Sequence, residues 1–161
     1  MHSLQVAVER TTNGDLCLQY ALRGELAHLR IPSLQAPLAT DGLWEHTCFE
    51  AFIGVQGDSG YHEFNFSPSS QWAAYAFGGY RERLAWQASD APEVAFGEDF
   101  LLQALIPATA LPANPEHKPL QLGLTAVIET VTGEKSYWAL KHPTEKPDFH
   151  HRHGFTHEIW P

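Results

Sequence analysis

The sequence lacks several features that would assign it quickly. Its 161 residues include two cysteines, Cys17 and Cys48, and no Cys-x-x-Cys pair. Two cysteines are too few for a disulfide framework. Each lies in an apolar, strand-like stretch with no basic neighbour to activate it, so two buried thiols are expected. Basic residues are also scarce: Lys plus Arg number 10 against 19 Asp plus Glu, for a net charge of -9. Nucleic acids and anionic membranes both select basic surfaces, so neither is an expected partner; a neutral or cationic ligand is compatible. No apolar run reaches the ~18 residues of a membrane helix. The opening MHSLQVAVER lacks the basic-then-apolar order of a secretory signal. A cytoplasmic location is expected on that ground, a mature secreted form being the alternative. There is no Gly-x-Ser-x-Gly elbow, no phosphate-binding glycine loop and no His-Glu-x-x-His.

What the chain does contain is alternation. Leu4, Val6 and Val8 alternate with polar or small neighbours, Asn13-Gly14 supplies a hairpin turn, and Leu16, Leu18, Tyr20 and Leu22 alternate on the far side. Further strands are expected at 28–31, 47–53, 61–67, 72–77, 83–88, 100–106, 120–131, 135–140 and 155–160, with one helical turn between Pro107 and Pro112. Short strands at regular spacing, separated by turn residues, predict an all-β antiparallel sandwich of roughly ten strands. The length suits one domain over residues 1–161.

Side chains alternate across a strand. In Asp41–Gly54, "DGLWEHTCFEAFIG", the residues Phe49, Ala51 and Ile53 share one face, and His46, Cys48, Glu50 and Phe52 share the other. In "YHEFNFS", His62, Phe64 and Phe66 oppose Tyr61, Glu63 and Asn65. If the two strands pair, the phenylalanines fill a core and Glu50, Glu63 and Asn65 collect on the outer face. Two carboxylates and an amide flanked by rings suit a sugar: carboxylates accept from hydroxyls, amides do both, and flat rings stack on pyranose faces. Trp44, beside a loop, is the candidate stacking ring. The bland alternative is a polar sheet face turned to water.

Four stretches taken in order, "LWEHTCFEAFIG", "YHEFNFSPSSQWAAYAFGGYR", "LGLTAVIE" and "SYWALKHPTEKPDFHHRHGF", make the chain resemble the DOMON-like domains, and within them the group related to family 9 carbohydrate-binding modules. The resemblance runs from about Leu4 to Trp160. It implies a β-sandwich that binds a ligand, a sugar or haem in characterised relatives, without catalysis. In the sugar-binding relatives a tryptophan ahead of an acidic strand clamps the ring; Trp44 and Glu50 match those positions. Trp138 is the nearest candidate for the second clamp and Arg81 for the site arginine. The chain differs from those relatives in showing no export signal, and it is expected to stand alone, without an attached catalytic domain. Trp138, or the loop from His142 to His153 with His142 and His150 as its contacts, is expected to close the site.

Other chemistries remain to be weighed. Five of the 10 histidines fall in the last twenty residues, and "FHHRHGF" invites a metal site on His150, His151 and His153, or haem. The only methionine is Met1, so haem would depend on histidine. No cofactor is expected, although sandwiches of this kind can carry a structural calcium, and a protein partner on the aromatic face is a third alternative. Glycoside hydrolysis would need Glu50 and Glu63 facing each other at about 5 Å across a strand pair, in a deep cleft. The expectation is binding, not hydrolysis.

Overall fold

The computed structural model describes residues 3–161 and bears out the all-β reading with two antiparallel sheets. The strands are β1 (Ser3–Arg10), β2 (Leu16–Arg23), β3 (Cys48–Val55), β4 (Tyr61–Phe66), β5 (Trp72–Phe77), β6 (Arg83–Leu84), β7 (Glu93–Phe96), β8 (Leu101–Ile106), β9 (Leu120–Glu129), β10 (Lys135–Ala139) and β11 (His157–Ile159). One sheet has the order β1-β2-β8-β7. The other runs β10-β9-β3-β4-β5-β6, and β11 extends it by pairing with the early part of β9.

The alternation read from the sequence sets which side chains meet. Leu16, Leu18, Tyr20 and Leu22 of β2, with Leu102, Ala104 and Ile106 of β8, face the larger sheet. There they meet Phe49, Ala51 and Ile53 of β3, Phe64 and Phe66 of β4, and every second residue of β9 from Leu120 to Ile128. Burying a Phe, Leu or Ile stabilises by roughly 1.5–3 kcal/mol each, so this layer holds the two sheets together. Tyr20 crosses it, and its hydroxyl donates to the Glu50 carbonyl at 2.7 Å. A buried phenol needs such a partner.

Four local features differ from the expectation. The first hairpin is not closed by a two-residue Asn-Gly turn. Thr11 and Asp15 are joined by a 2.9 Å backbone bond around a three-residue loop, in which Gly14 takes φ 86; this is the turn-plus-bulge solution, which needs a left-handed third residue. Residues 28–31 make one bridge, Leu29 to Thr130, because Pro32 ends the stretch. The 83–88 segment pairs only at Arg83–Leu84. Glu93–Phe96, short and following Pro92, is a strand the sequence reading missed. The helical turn expected near Pro107 is present at Ala108–Ala110.

Candidate functional site

On the outer face of the larger sheet, two glycines leave a trough. Gly54 of β3 and Gly123 of β9 present no side chain there. A Cβ on Gly54 would overlap the Arg152 guanidinium, and one on Gly123 would stand 3.0 Å from the Phe155 ring. Arg152 and Phe155 therefore lie flat against the sheet. Arg152 donates to the Val55 carbonyl at 2.8 Å, to the Gly60 carbonyl at 3.1 Å and to Gln121 Oε1 at 3.3 Å. Phe155 packs with Phe52, Tyr61, Ala73, Tyr75 and Phe77 into a second apolar cluster, separate from the layer between the sheets. The carboxy-terminal segment is thereby tied over half of a sheet face that would otherwise meet water.

Beside this segment lies a cleft of about 670 Å³. Its walls are rings: Trp44, Phe52, Tyr75, Phe77, Tyr137 and Phe149. Trp44 is half-exposed in a 3-10 turn, Leu43–Glu45, that follows Gly42 at φ 77. Tyr75 steadies this turn by donating to Asp41 at 2.6 Å. Phe149 comes from the carboxy-terminal segment, with the His142 ring stacked on it and His142 bonded to the Tyr137 carbonyl.

Glu50 and Glu63 lie at the cleft floor, and both are buried. They do not face each other directly. Glu50 is opposite Asn65 and Glu63 is opposite Phe52, so the two carboxyls are diagonal neighbours, a relation that places Cα atoms roughly 7–8 Å apart. Among the described residues the Glu50 carboxylate accepts one hydrogen bond, from Thr125 Oγ1 at 3.3 Å. Burial, and then the nearby Glu63 charge, push the Glu50 carboxyl well above its ordinary range. Burial raises Glu63 to about 7, while Asn65, Arg81 and Arg83 pull the other way. Asn65 is wholly buried against these two, yet neither of its amide atoms reaches hydrogen-bond geometry with a described group.

A relay of polar groups supports Glu63 from the side. The Arg81 amide, on a backbone held at φ 54, donates to the Tyr61 hydroxyl at 3.0 Å. That hydroxyl lies 2.9 Å from His150 Nδ1, and His150 Nε2 stands 3.5 Å from Glu63 Oε1. Because Tyr61 accepts from Arg81, it is free to donate to Nδ1, which leaves the imidazole proton on Nε2, toward Glu63. The imidazole is neutral at ordinary pH, since burial and the Arg81 charge lower it to about 4. The contact with Glu63 is therefore not an ion pair there. Arg81 also bonds Asp148 at 3.0 Å, and Tyr80 donates to the same carboxylate, closing the 78–82 turn onto the carboxy-terminal segment.

Of the residues singled out from the sequence, Trp44, Glu50, Glu63, Arg81 and His150 line this one cleft. Asn65 sits on the same face but is covered. Trp138 does not join them: it pairs with Ala126, and both side chains face the layer between the sheets. Its neighbour Tyr137 takes the cleft side. His142 supports Phe149 from outside. The three histidines of the metal alternative are not gathered: His150 points into the cleft, whereas the rings of His151 and His153 meet each other at a tilt, 4.9 Å apart. Among the described residues no group of three or more His, Cys, Asp or Glu is placed to hold a metal. The outer face is also not the solvated surface of the bland alternative, since the carboxy-terminal segment covers half of it.

Sequence reasoning missed Tyr75, Phe77, Tyr137 and Phe149. Tyr75 and Phe77 carried a usable signal, alternating along a strand whose partner β4 had already been given a polar outer face.

Compared with protein-family models and with curated proteins, the chain matches none. Among solved structures it is similar to a putative carbohydrate-binding protein from Bacteroides uniformis. The two share 18% identity and a TM-score of 0.64, over 96% of this chain and 78% of that one. What this likeness shows is a common fold.

Proposed function

We propose that the protein is a non-catalytic saccharide-binding module, a DOMON-like sandwich related to family 9 carbohydrate-binding modules, which works as one domain. The observation that carries this reading is the ring-walled cleft with two carboxyls at its floor. A pyranose presents an apolar face for stacking and an edge of hydroxyls for polar groups. The cleft offers Trp44, Tyr75 and Tyr137 to the first and Glu50 and Glu63 to the second. The carbohydrate-binding description given to a protein of the same fold supports it further.

Binding is favoured over hydrolysis by the side from which the acids approach. Glu50 and Glu63 lie on adjacent strands and project from one sheet face. Hydrolysis by inversion needs acid and base on opposite faces of the sugar ring. Two carboxyls on a common floor are placed to accept from the hydroxyls along one edge of a sugar.

The test is a tryptophan-fluorescence titration with mono- and oligosaccharides, run on the wild type and on Trp44→Ala. Saturable quenching that is weakened about ten-fold or more in the variant is expected, equivalent to roughly 1.4 kcal/mol of lost stacking. A response that is the same in both proteins, or flat across the panel, overturns the reading.

A further inference from the structure

Three glutamates are buried on the outer face of the larger sheet, and the fold treats them differently. Glu129, at the end of β9, is neutralised: His46 Nδ1 stands 2.9 Å from its carboxylate and Arg30 Nε 3.5 Å. Glu50 has no cation against it among the described residues. Three cations line the cleft, Arg81, Arg83 and Lys135, and among the described residues none forms an ion pair with Glu50 or Glu63. Arg81 is paired with Asp148, and the Arg83 guanidinium lies 4.3 Å from the centre of the Tyr75 ring. Two adjacent buried carboxyls thus stand at the base of an aromatic cleft with no cation bonded to either.

We propose that the ligand brings the cation: the cleft takes an amine-bearing sugar, whose ammonium sits between Glu50 and Glu63. The inference rests on the saccharide reading of the same cleft and narrows it. One ammonium carries three donors, so it can serve the oxygen of Glu50 that Thr125 leaves free and an oxygen of Glu63 together. Charge-assisted bonds of about 2.8 Å to each side bridge a diagonal pair on neighbouring strands. An acidic sugar is disfavoured, because its carboxylate would join two others in a site of low dielectric.

Binding of an ammonium should displace the proton that the pair holds when empty. Of the other titratable groups facing the pair, Cys48, Tyr61 and Tyr75 are all raised by burial and stay protonated. His150 is already neutral, Asp148 is already ionised, and the guanidinium groups keep their charge. Glu45, Lys135 and Tyr137 also line the cleft, so a proton released near neutral pH is assigned to the Glu50–Glu63 pair when Glu50→Gln abolishes the release.

The experiment uses calorimetry on the whole protein with three disaccharides of one skeleton: cellobiose, its counterpart of two glucosamine units, and the N-acetylated form of the latter. The titrations are run where the sugar amine is protonated, in two buffers of different ionisation heat. The glucosamine form is expected to bind about ten-fold tighter than cellobiose, with proton release visible as a buffer-dependent heat. Glu50→Gln should erase that ratio, and Glu129→Gln, outside the cleft, should keep it. Equal affinity for all three, or a preference for cellobiose, the N-acetylated form or glucuronate, overturns the ammonium seat while leaving the saccharide reading in place. Cyclohexylamine serves as an amine without a sugar. If it binds with proton release and no saccharide does, the ammonium seat stands and the saccharide reading falls. If no probe binds, both fall.

Discussion

Along β3, Phe49, Ala51, Ile53 and Val55 point inward and meet hydrocarbon from both sheets, whereas Cys48, Glu50, Phe52 and Gly54 point outward under a loop and a cleft. All eight residues of the strand are buried, so burial alone does not separate the two sides. What separates them is what each side was given to meet. The inner side is apolar and complete. The outer side has glycines where a loop must lie down, rings where a wall is needed, and carboxyls with no cation bonded to them. A single strand with period-two alternation can therefore serve stability with one set of residues and recognition with the other, and each set can change without moving the other.

The largest effect should come from opening the inner side. Phe64→Ala removes a wholly buried ring from the layer between the sheets and is expected to cost about 3–5 kcal/mol in urea unfolding. A cost below about 1 kcal/mol would mean that this layer is not the close-packed core described above.

A smaller, pH-dependent effect belongs to the outer side. Folded Glu63 ionises near 7 against 4.5 for the free group. Between those values the folded chain holds a proton that the unfolded chain has shed, so stability falls as pH rises through 7. Glu50 acts in the same direction. His150, lowered from 6.5 to about 4, acts in the opposite one: stability falls as pH drops through that window. Wild-type stability should therefore decline as pH rises from about 6 to 8, and Glu63→Gln should remove about 1 kcal/mol of that loss, most of it below pH 7. A series of melting temperatures across that range decides it; a flat wild-type profile would show that the floor carboxyls ionise normally.

The smallest effect sharpens the contrast between Glu129 and Glu50. Arg30 is half-exposed, and His46 still holds Glu129 when it is gone. Arg30→Ala should cost less than about 1 kcal/mol and leave ligand preference unaltered. A loss of several kcal/mol in urea unfolding would show that Glu129 depends on this one cation.

Much of the inner side was legible in the sequence because it depends on local parity. Leu16 to Leu22, Phe49 to Ile53 and Phe64 to Phe66 announce their common face, and the strands around them follow. Parity also put Glu50, Glu63 and Asn65 together. It failed at Tyr137-Trp138, two adjacent rings of which either suits either face. The register against β9, which sets Trp138 opposite Ala126, decides that question, and a register is a long-range pairing. Phe149 was out of reach for a similar reason. Its place depends on Arg152 finding Gly54, nearly a hundred residues earlier, and on Phe155 finding Gly123. The lost pairing of 83–88 and the missed strand at Glu93–Phe96 are edge effects, where short segments with few partners give weak patterns.

Arg152 has one more consequence. Its bonds to the Val55 and Gly60 carbonyls fix one end of the carboxy-terminal segment to main chain, and β10, paired to β9, fixes the other. Neither anchor uses a residue between 141 and 151. That stretch is clipped at both ends, and between the clips it is held to the rest of the fold by side chains: Asp148 by Arg81 and Tyr80, His150 by Tyr61 and His142 by the Tyr137 carbonyl. For anyone wishing to redirect this protein toward a new ligand, it is the first segment to randomise, and Gly54 and Arg152 are two residues to leave untouched.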